Sequence, residues 1–318
     1  MPEERAFFRA ADPWGFIVFA RNVETPDQVR ALTSDLREAV GRDAPVLIDQ
    51  EGGRVQRMQP PHWRAWPPPL DHMAEVAPAA RERAMFLRYR IIAKELRDIG
   101  IDTNCAPLAD IAGPLTHPFL KNRCYGTDPD SVTRLARAVA TGLQAGGVLP
   151  VIKHMPGHGR GSVDSHHEVP TTDASPAELL SHDFAPFIAL ADLPMAMTAH
   201  YVYTSYDNVP TTVSARMIKL IRKEICFDGL LMTDDLSMEA LGGSVTDRTR
   251  GARQAGCDVI LHCNGKMDEM AEVASEAGQL SDASDARARR ALRLRTVPRA
   301  IDIDGAEDEL AALSQGTT

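Results

Sequence analysis

The chain alternates short, nearly continuous apolar runs with longer stretches whose apolar residues recur at helical spacing. FIVFA (16–20), PVLID (45–49), a broken run at 104–108, VLPVIKH (148–154), PMAMTAH (194–200), GLLMTDD (229–235) and CDVILHC (257–263) read as about seven buried strands. Apolar runs of this length, without polar alternation, fit strands covered on both faces. The intervening stretches read as helices. In the one over 26–40, Thr25 can cap, Pro26 suits the first turn, Gln28 completes a capping box, and Val29, Leu32, Leu36 and Val40 form one face. Further helices are expected over 81–99, over 130–144 with Gly146 and Gly147 as its stop, ahead of 194, over 215–225 and over 248–255.

Strands separated by helices predict parallel βαβ units with right-handed crossovers. The chemically interesting polar residues, Asp49, Lys153, His154, His200, Asp234, Asp235 and His262, all fall at the C-terminal ends of the apolar runs. That placement predicts an α/β fold of the single (β/α)8 TIM-barrel type, whose active site lies at the C-terminal mouth of the strands. A doubly wound open sheet is the runner-up, because it too holds ligands at strand C-termini. No repeat or linker divides the chain, so 1–301 reads as one barrel domain and 302–318, DIDGAEDELAALSQGTT, as a poorly ordered tail.

Composition narrows the function classes. At 318 residues the chain can bury a large core, so its fold needs neither disulfides nor a structural metal. Its five cysteines form no CxxC pair and mostly sit in or beside apolar runs, as buried free thiols do. A formal charge of −9 argues against a general nucleic-acid binder, and the arginines of 286–295 have helical spacing and acidic neighbours, which reads as a solvated helix face. The charged N-terminus lacks the apolar core of a secretory signal. The longest apolar stretch, 184–197, is interrupted by Pro186, Asp192 and Pro194, short of the roughly 18 residues a membrane span needs. A cytoplasmic protein that does not engage membranes is expected.

Three segments carry candidate chemistry. In KHMPGHGRGSVDSHHEVP (153–170), Lys153 and His154 end a strand, and Pro156, Gly157, Gly159 and Gly161 make a loop able to fold close to a ligand. Asp164 and His166, two apart in extended chain, can point the same way; a carboxylate beside an imidazole fixes its tautomer and favours the protonated form that a general acid needs. For any one of these histidines taken alone, a hydrogen-bonded loop with surface histidines is the better account. His158 and His167 have no evident task. In LLMTDDLSMEA (230–240), Asp234 follows the strand directly and is the better candidate for the mouth, with Asp235 capping or tying down the next segment, although capping alone also explains the pair. In IDQEGGRVQRM (48–58), Asp49 ends a strand, Gly52 and Gly53 permit a tight turn, and Arg54 and Arg57 can reach over the mouth. Carboxylates and arginines so placed suit sugar hydroxyls; a structural Asp–Arg pair explains them as well.

Taken together, these segments resemble family 3 glycoside hydrolases, and within them the compact bacterial β-N-acetylhexosaminidases that act on cell-wall fragments. The resemblance runs in order through FARN (19–22), IDQEGGRVQR (48–57), NCAPLADI (104–111), KNRCYG (121–126), KHMPGHG (153–159), DSHHE (164–168), MTAH (197–200) and TDDLSMEA (233–240). It implies Asp234 as nucleophile and His166, oriented by Asp164, as general acid/base. It also implies Asp49, Arg57, Arg123, Lys153 and His154 as residues that bind an N-acetylglucosamine ring. No cofactor and no metal are implied. The implied activity is retaining removal of terminal β-linked N-acetylglucosamine from anhydro-muropeptides in peptidoglycan recycling.

An imidazole acid beside a carboxylate nucleophile departs from the usual carboxylate pair. Because it does not repel phosphate, phosphorolysis is a second reading. A metal-dependent hydrolase built on His154, His158, His166, His167 and Asp234 is disfavoured, since their spacing matches no compact ligand set. A non-catalytic sugar-binding relative is the remaining alternative, because the family's first barrel strand, ahead of the FARN-like run, has no counterpart here. A barrel without it exposes strand edges, so a monomer is expected, with association open through that edge.

Overall fold

The computed structural model describes residues 2–163 and 168–315. Six parallel strands, β1 (Phe16–Val18), β2 (Val46–Ile48), β3 (Thr103–Asn104), β4 (Leu149–Met155), β5 (Met195–Thr198) and β6 (Leu230–Met232), lie side by side in chain order. Phe16 pairs with Val46, Leu47 with Thr103, Thr103 with Leu149, Val151 with Met195, and Met195 with Leu230. The result is an α/β half-barrel sheet consistent with an incomplete TIM-type barrel.

The seventh predicted run does not form a strand of its own. Val259 makes a single parallel bridge to Met232, and Thr233 N donates to Val259 O at 3.0 Å. Side chains take over where a ladder would continue: Leu261 N donates to Thr233 Oγ1 at 2.9 Å and Leu231 N to Asp258 Oδ2 at 2.9 Å. A backbone amide bonded to a side chain is unavailable to the next ladder rung. Among the described residues β1 pairs only with β2, so the sheet is open between β1 and the 259 segment.

Strand side chains divide by alternation. Leu47, Leu149, Val151, Met195, Met197, Leu230 and Met232 share an interior cluster with Ala288 and Ala291, whereas Val46, Ile48, Ile152, Ala196 and Leu231 pack outward into the helix layer. Period-two alternation is what a curved sheet with a filled interior and a helical coat demands. Ala288 and Ala291 belong to the helix Asp282–Leu292, so the arginines of that segment lie on a helix whose small residues face inward.

The helices start where side chains replace missing partners. Thr25 Oγ1 accepts from Gln28 N at the head of Pro26–Val40, and Gln28 Oε1 accepts from Glu24 N, one residue before the cap. Asp128 accepts from Ser131 N at the head of Pro129–Ala145. Each such cap is worth about 1 kcal/mol.

The segment expected to be a poorly ordered tail holds a helix over its described residues 303–315. Ile303–Gln315 is a helix whose Ala306 and Leu310 are buried in the main core, while Glu309 takes a bidentate pair from Arg83 at 2.7 Å and Glu307 pairs with Arg64. Its acidic composition, read as disorder, serves one face of an amphipathic helix: Ala306, Leu310 and Leu313 recur at helical spacing on the other. Of the cysteines, Cys105, Cys124 and Cys257 are buried and free, but Cys226 is exposed.

Candidate active site

The C-terminal ends of the strands surround a cavity of about 190 Å3, and its lining includes Asp49, Arg57, Arg123, Lys153, His154 and Asp234. Six of the eight residues expected to act in binding or catalysis therefore meet in one place. Asp164 and His166 lie outside the described residues.

On one wall the chain leaves β2 and turns immediately. Asn104 clips the backbone of residue 50, accepting from Gln50 N and donating to Gln50 O, each at 3.0 Å. This clip holds Asp49 and Glu51, which flank Gln50, against a shared Lys153, with Arg57 on Asp49 and Arg123 on Glu51. Asp49 Oδ1 accepts from Lys153 Nζ at 2.7 Å and Oδ2 from Arg57 Nη2 at 3.1 Å. Glu51 accepts a bidentate pair from Arg123, at 2.9 and 3.0 Å, and lies 2.6 Å from Lys153 Nζ. Burial pushes both carboxyls up, but Lys153, Arg57 and Arg123 outweigh it at Asp49, and Arg123 and Lys153 outweigh it at Glu51, so both are held below the usual carboxylate range.

On the opposite wall Asp110, fully buried, organises the segment after β4. It accepts from His154 Nδ1 at 2.7 Å and from His158 N at 2.6 Å. Nδ1 of His154 is thereby committed to Asp110, which leaves Nε2 as the nitrogen available to a ligand. His158 is buried beside Tyr201, and its pKa is pushed down to about 4, chiefly by burial.

Asp234 stands at the end of β6. Burial raises its carboxyl, yet His200, His154, the Asp235 amide and Lys153 together bring it below the ordinary value, so it is ionised at neutral pH. Its Oδ1 accepts from Asp235 N at 2.8 Å. Asp235 is occupied elsewhere: its carboxylate accepts from Ser237 N and Oγ at 2.9 and 2.6 Å and from Cys263 N at 3.0 Å, tying two loops together. Among the described residues Asp234 is thus the carboxylate of the pair without such ties to the loops. His200 lies beneath, with Nε2 donating to Asp235 O at 3.0 Å.

Three of these residues escaped the sequence reading: Glu51, Asp110 and His200 as a support. Glu51 had a signal, since it stands two after Asp49 in extended chain. Asp110 had none, because its partners are 44 and 48 positions away.

The buried histidines predict a pH dependence of stability. His72 and His158 each have a pKa pushed down from 6.5 to about 4, first by burial. Between these values the unfolded chain binds protons that the folded protein refuses. Stability is therefore complete above pH 6.5 and should fall as the pH drops toward 4, by on the order of 3 kcal/mol for each histidine. Urea midpoints measured at pH 7.5 and 4.5 should show this decline, and His158→Gln should shrink it; an unchanged slope in that variant contradicts the assignment.

The sequence profile of the Glycosyl hydrolase family 3 N terminal domain matches residues 10–294. The chain belongs to glycosyl hydrolase family 3. This family 3 protein is 37% identical over 257 residues to a beta-hexosaminidase of Bordetella avium, covering 79% of this chain and 73% of the relative. It is 37% identical over 267 residues to a beta-hexosaminidase of Methylococcus capsulatus, covering 82% and 79%. Among solved structures it resembles NagZ from Neisseria gonorrhoeae in complex with N-trifluoroacetyl-D-glucosamine, with a TM-score of 0.86, 28% identity, and coverage of 99% of this chain and 94% of that one. It also resembles a glycoside hydrolase family 3 beta-N-acetylglucosaminidase from Paenibacillus, with a TM-score of 0.86 and 27% identity, covering 98% of this chain and spanning 64% of that one. The family 3 chain is a glycoside hydrolase, as its sequence resemblance implied.

Proposed function

We propose that this glycoside hydrolase is a retaining β-N-acetylglucosaminidase that removes terminal β-linked N-acetylglucosamine from anhydro-muropeptides during cell-wall recycling. The observation that carries the reading is an ionised Asp234 in a cavity whose other groups, Asp49, Arg57, Arg123, Lys153 and His154, offer acceptors and donors suited to sugar hydroxyls. The N-trifluoroacetyl-D-glucosamine bound by the gonococcal NagZ supports the choice of sugar.

In this mechanism an Asp234 oxygen attacks the anomeric carbon while the bond to the leaving oxygen breaks, and that oxygen takes its proton from the His166 imidazolium. The glycosyl ester on Asp234 is then attacked by water, whose proton returns to His166, with Asp164 orienting the imidazole. Inversion at each step retains configuration. The electrostatics support the assignment of roles, because a cationic acid coexists with the Asp234 carboxylate at neutral pH, where two adjacent carboxylates would repel.

Release of an aryl N-acetyl-β-glucosaminide tests the activity. His166→Ala should lower turnover of a disaccharide with a poor alkoxide leaving group by about 10²–10⁴-fold and of a nitrophenyl glycoside much less. Equal losses on both would remove the general-acid role. Sugar phosphate formed only with added phosphate would instead establish phosphorolysis.

The same reading takes the open sheet as a (β/α)8-type barrel lacking the strand between β1 and residue 259, and the protein as a cytoplasmic monomer. No helix among the described residues is long and apolar enough to cross a membrane.

A further inference from the structure

At the rim of the cavity one cation is left over among the described residues. Asp49 neutralises Arg57 and shares Lys153 with Glu51, Glu51 holds Arg123, and Asp110 holds His154. Arg54 also lines the cavity but has no carboxylate partner among the described residues. It is nonetheless held in place. Gln50–Gly52 and Val55–Gln56 form an antiparallel hairpin with Gly52 opposite Val55, so Gly53 and Arg54 are its two turn residues. Gly53 takes φ +60°, which only glycine adopts without cost, and its N–H donates to Trp66 O at 2.7 Å. The Arg54 guanidinium stacks 4.3 Å from the centre of the Phe119 ring, and Phe119 sits on a short helix begun by the His117 side chain.

A guanidinium with one face on an aromatic ring keeps its donor edges free for a planar, bidentate acceptor. The deeper groups of the cavity hold the terminal sugar. Whatever follows the scissile oxygen must pass the rim, where Arg54 stands exposed. We infer that Arg54 is a specificity-determining residue that selects substrates whose leaving group carries a carboxylate. This inference rests on the N-acetylglucosaminidase reading above and adds the charge of the leaving group.

The test uses two β-1,4-linked disaccharides, N-acetylglucosaminyl-N-acetylmuramic acid and diacetylchitobiose, which differ by the 3-O-lactyl group that carries the carboxylate. The lactyl methyl ester of the first keeps the group, removes its charge and should behave as the neutral sugar. All are compared in wild type, Arg54→Gln and Arg54→Lys. The ratio of kcat/KM for the acidic over the neutral disaccharide should fall about tenfold in Arg54→Gln, be only partly kept in Arg54→Lys, which retains the charge but neither the fork nor the stacking plane, and shrink in wild type as salt rises from 0.05 to 0.5 M, because rim charges are screened. An unchanged ratio in Arg54→Gln, with wild type cleaving both sugars, overturns the Arg54 role and leaves the N-acetylglucosaminidase reading intact. Wild type that cleaves neither sugar, nor the aryl glycoside, overturns that reading, and the role of Arg54 falls with it.

Discussion

Replacing Asp234 by Asn is expected to lower kcat/KM on an aryl N-acetyl-β-glucosaminide by on the order of 10³-fold or more, equivalent to at least about 4 kcal/mol of lost transition-state stabilisation. Asp234 is the carboxylate of the Asp234–Asp235 pair whose oxygens are not spent on the loops, and the neighbouring histidines and Lys153 keep it ionised. An amide of the same shape preserves the packing but cannot form a stable glycosyl ester. Asp234→Ala separates chemistry from structure further. Added azide should then restore turnover and yield a glycosyl azide of inverted configuration, since the small anion occupies the vacated space. Wild-type rates in Asp234→Asn, with no azide product from Asp234→Ala, would assign the nucleophile elsewhere.

The largest expected loss of stability comes from Glu51, a residue that touches no proposed step of the reaction. Glu51 is 1% exposed and neutralises both Arg123 and Lys153. Breaking a buried pair by removing one partner leaves an uncompensated charge and costs about 3–5 kcal/mol. Glu51→Gln should therefore lower Tm by roughly 10 °C and, by loosening Arg123 and Lys153, lower kcat/KM by about 10²-fold. A second variant distinguishes the two effects: Glu51→Gln with Arg123→Met replaces the pair by groups that need no counter-charge and should regain part of the lost Tm while remaining poorly active. If Glu51→Gln melts with wild type, the network does not hold the wall.

Much of the architecture was legible in the chain. The apolar runs at 16–20, 45–49 and 194–200 each gave a parallel strand, because a run covered on both faces has no polar alternation to hide it. The helix start at Thr25 follows from local hydrogen bonding, which acts over three residues and so is written locally, whereas the helix expected from 130 begins at Pro129 behind an Asp128 cap. The run at 257–263 misled, since its composition is that of a strand while the Thr233 side chain takes the Leu261 amide and the Asp258 side chain takes the Leu231 amide of β6. The helix over 303–315 was not legible, since its partners are distant in the chain: Arg64 pairs with Glu307 across 243 positions and Arg83 with Glu309 across 226, and Ala306 and Leu310 pack into the main core.

What the sequence by itself determined is the order of strands and helices, the family, and the identity of the polar residues at strand ends, all of which depend on neighbours a few positions apart. Tertiary structure decided which charges neutralise which. Lys153 meets Asp49 across 104 positions and Arg123 meets Glu51 across 72. These pairings, and the place of Arg54 at the rim of the cavity, exist only once the parallel strands bring their C-terminal ends together. Electrostatic partnership depends on distance in space, and the chain encodes that distance only through the whole fold.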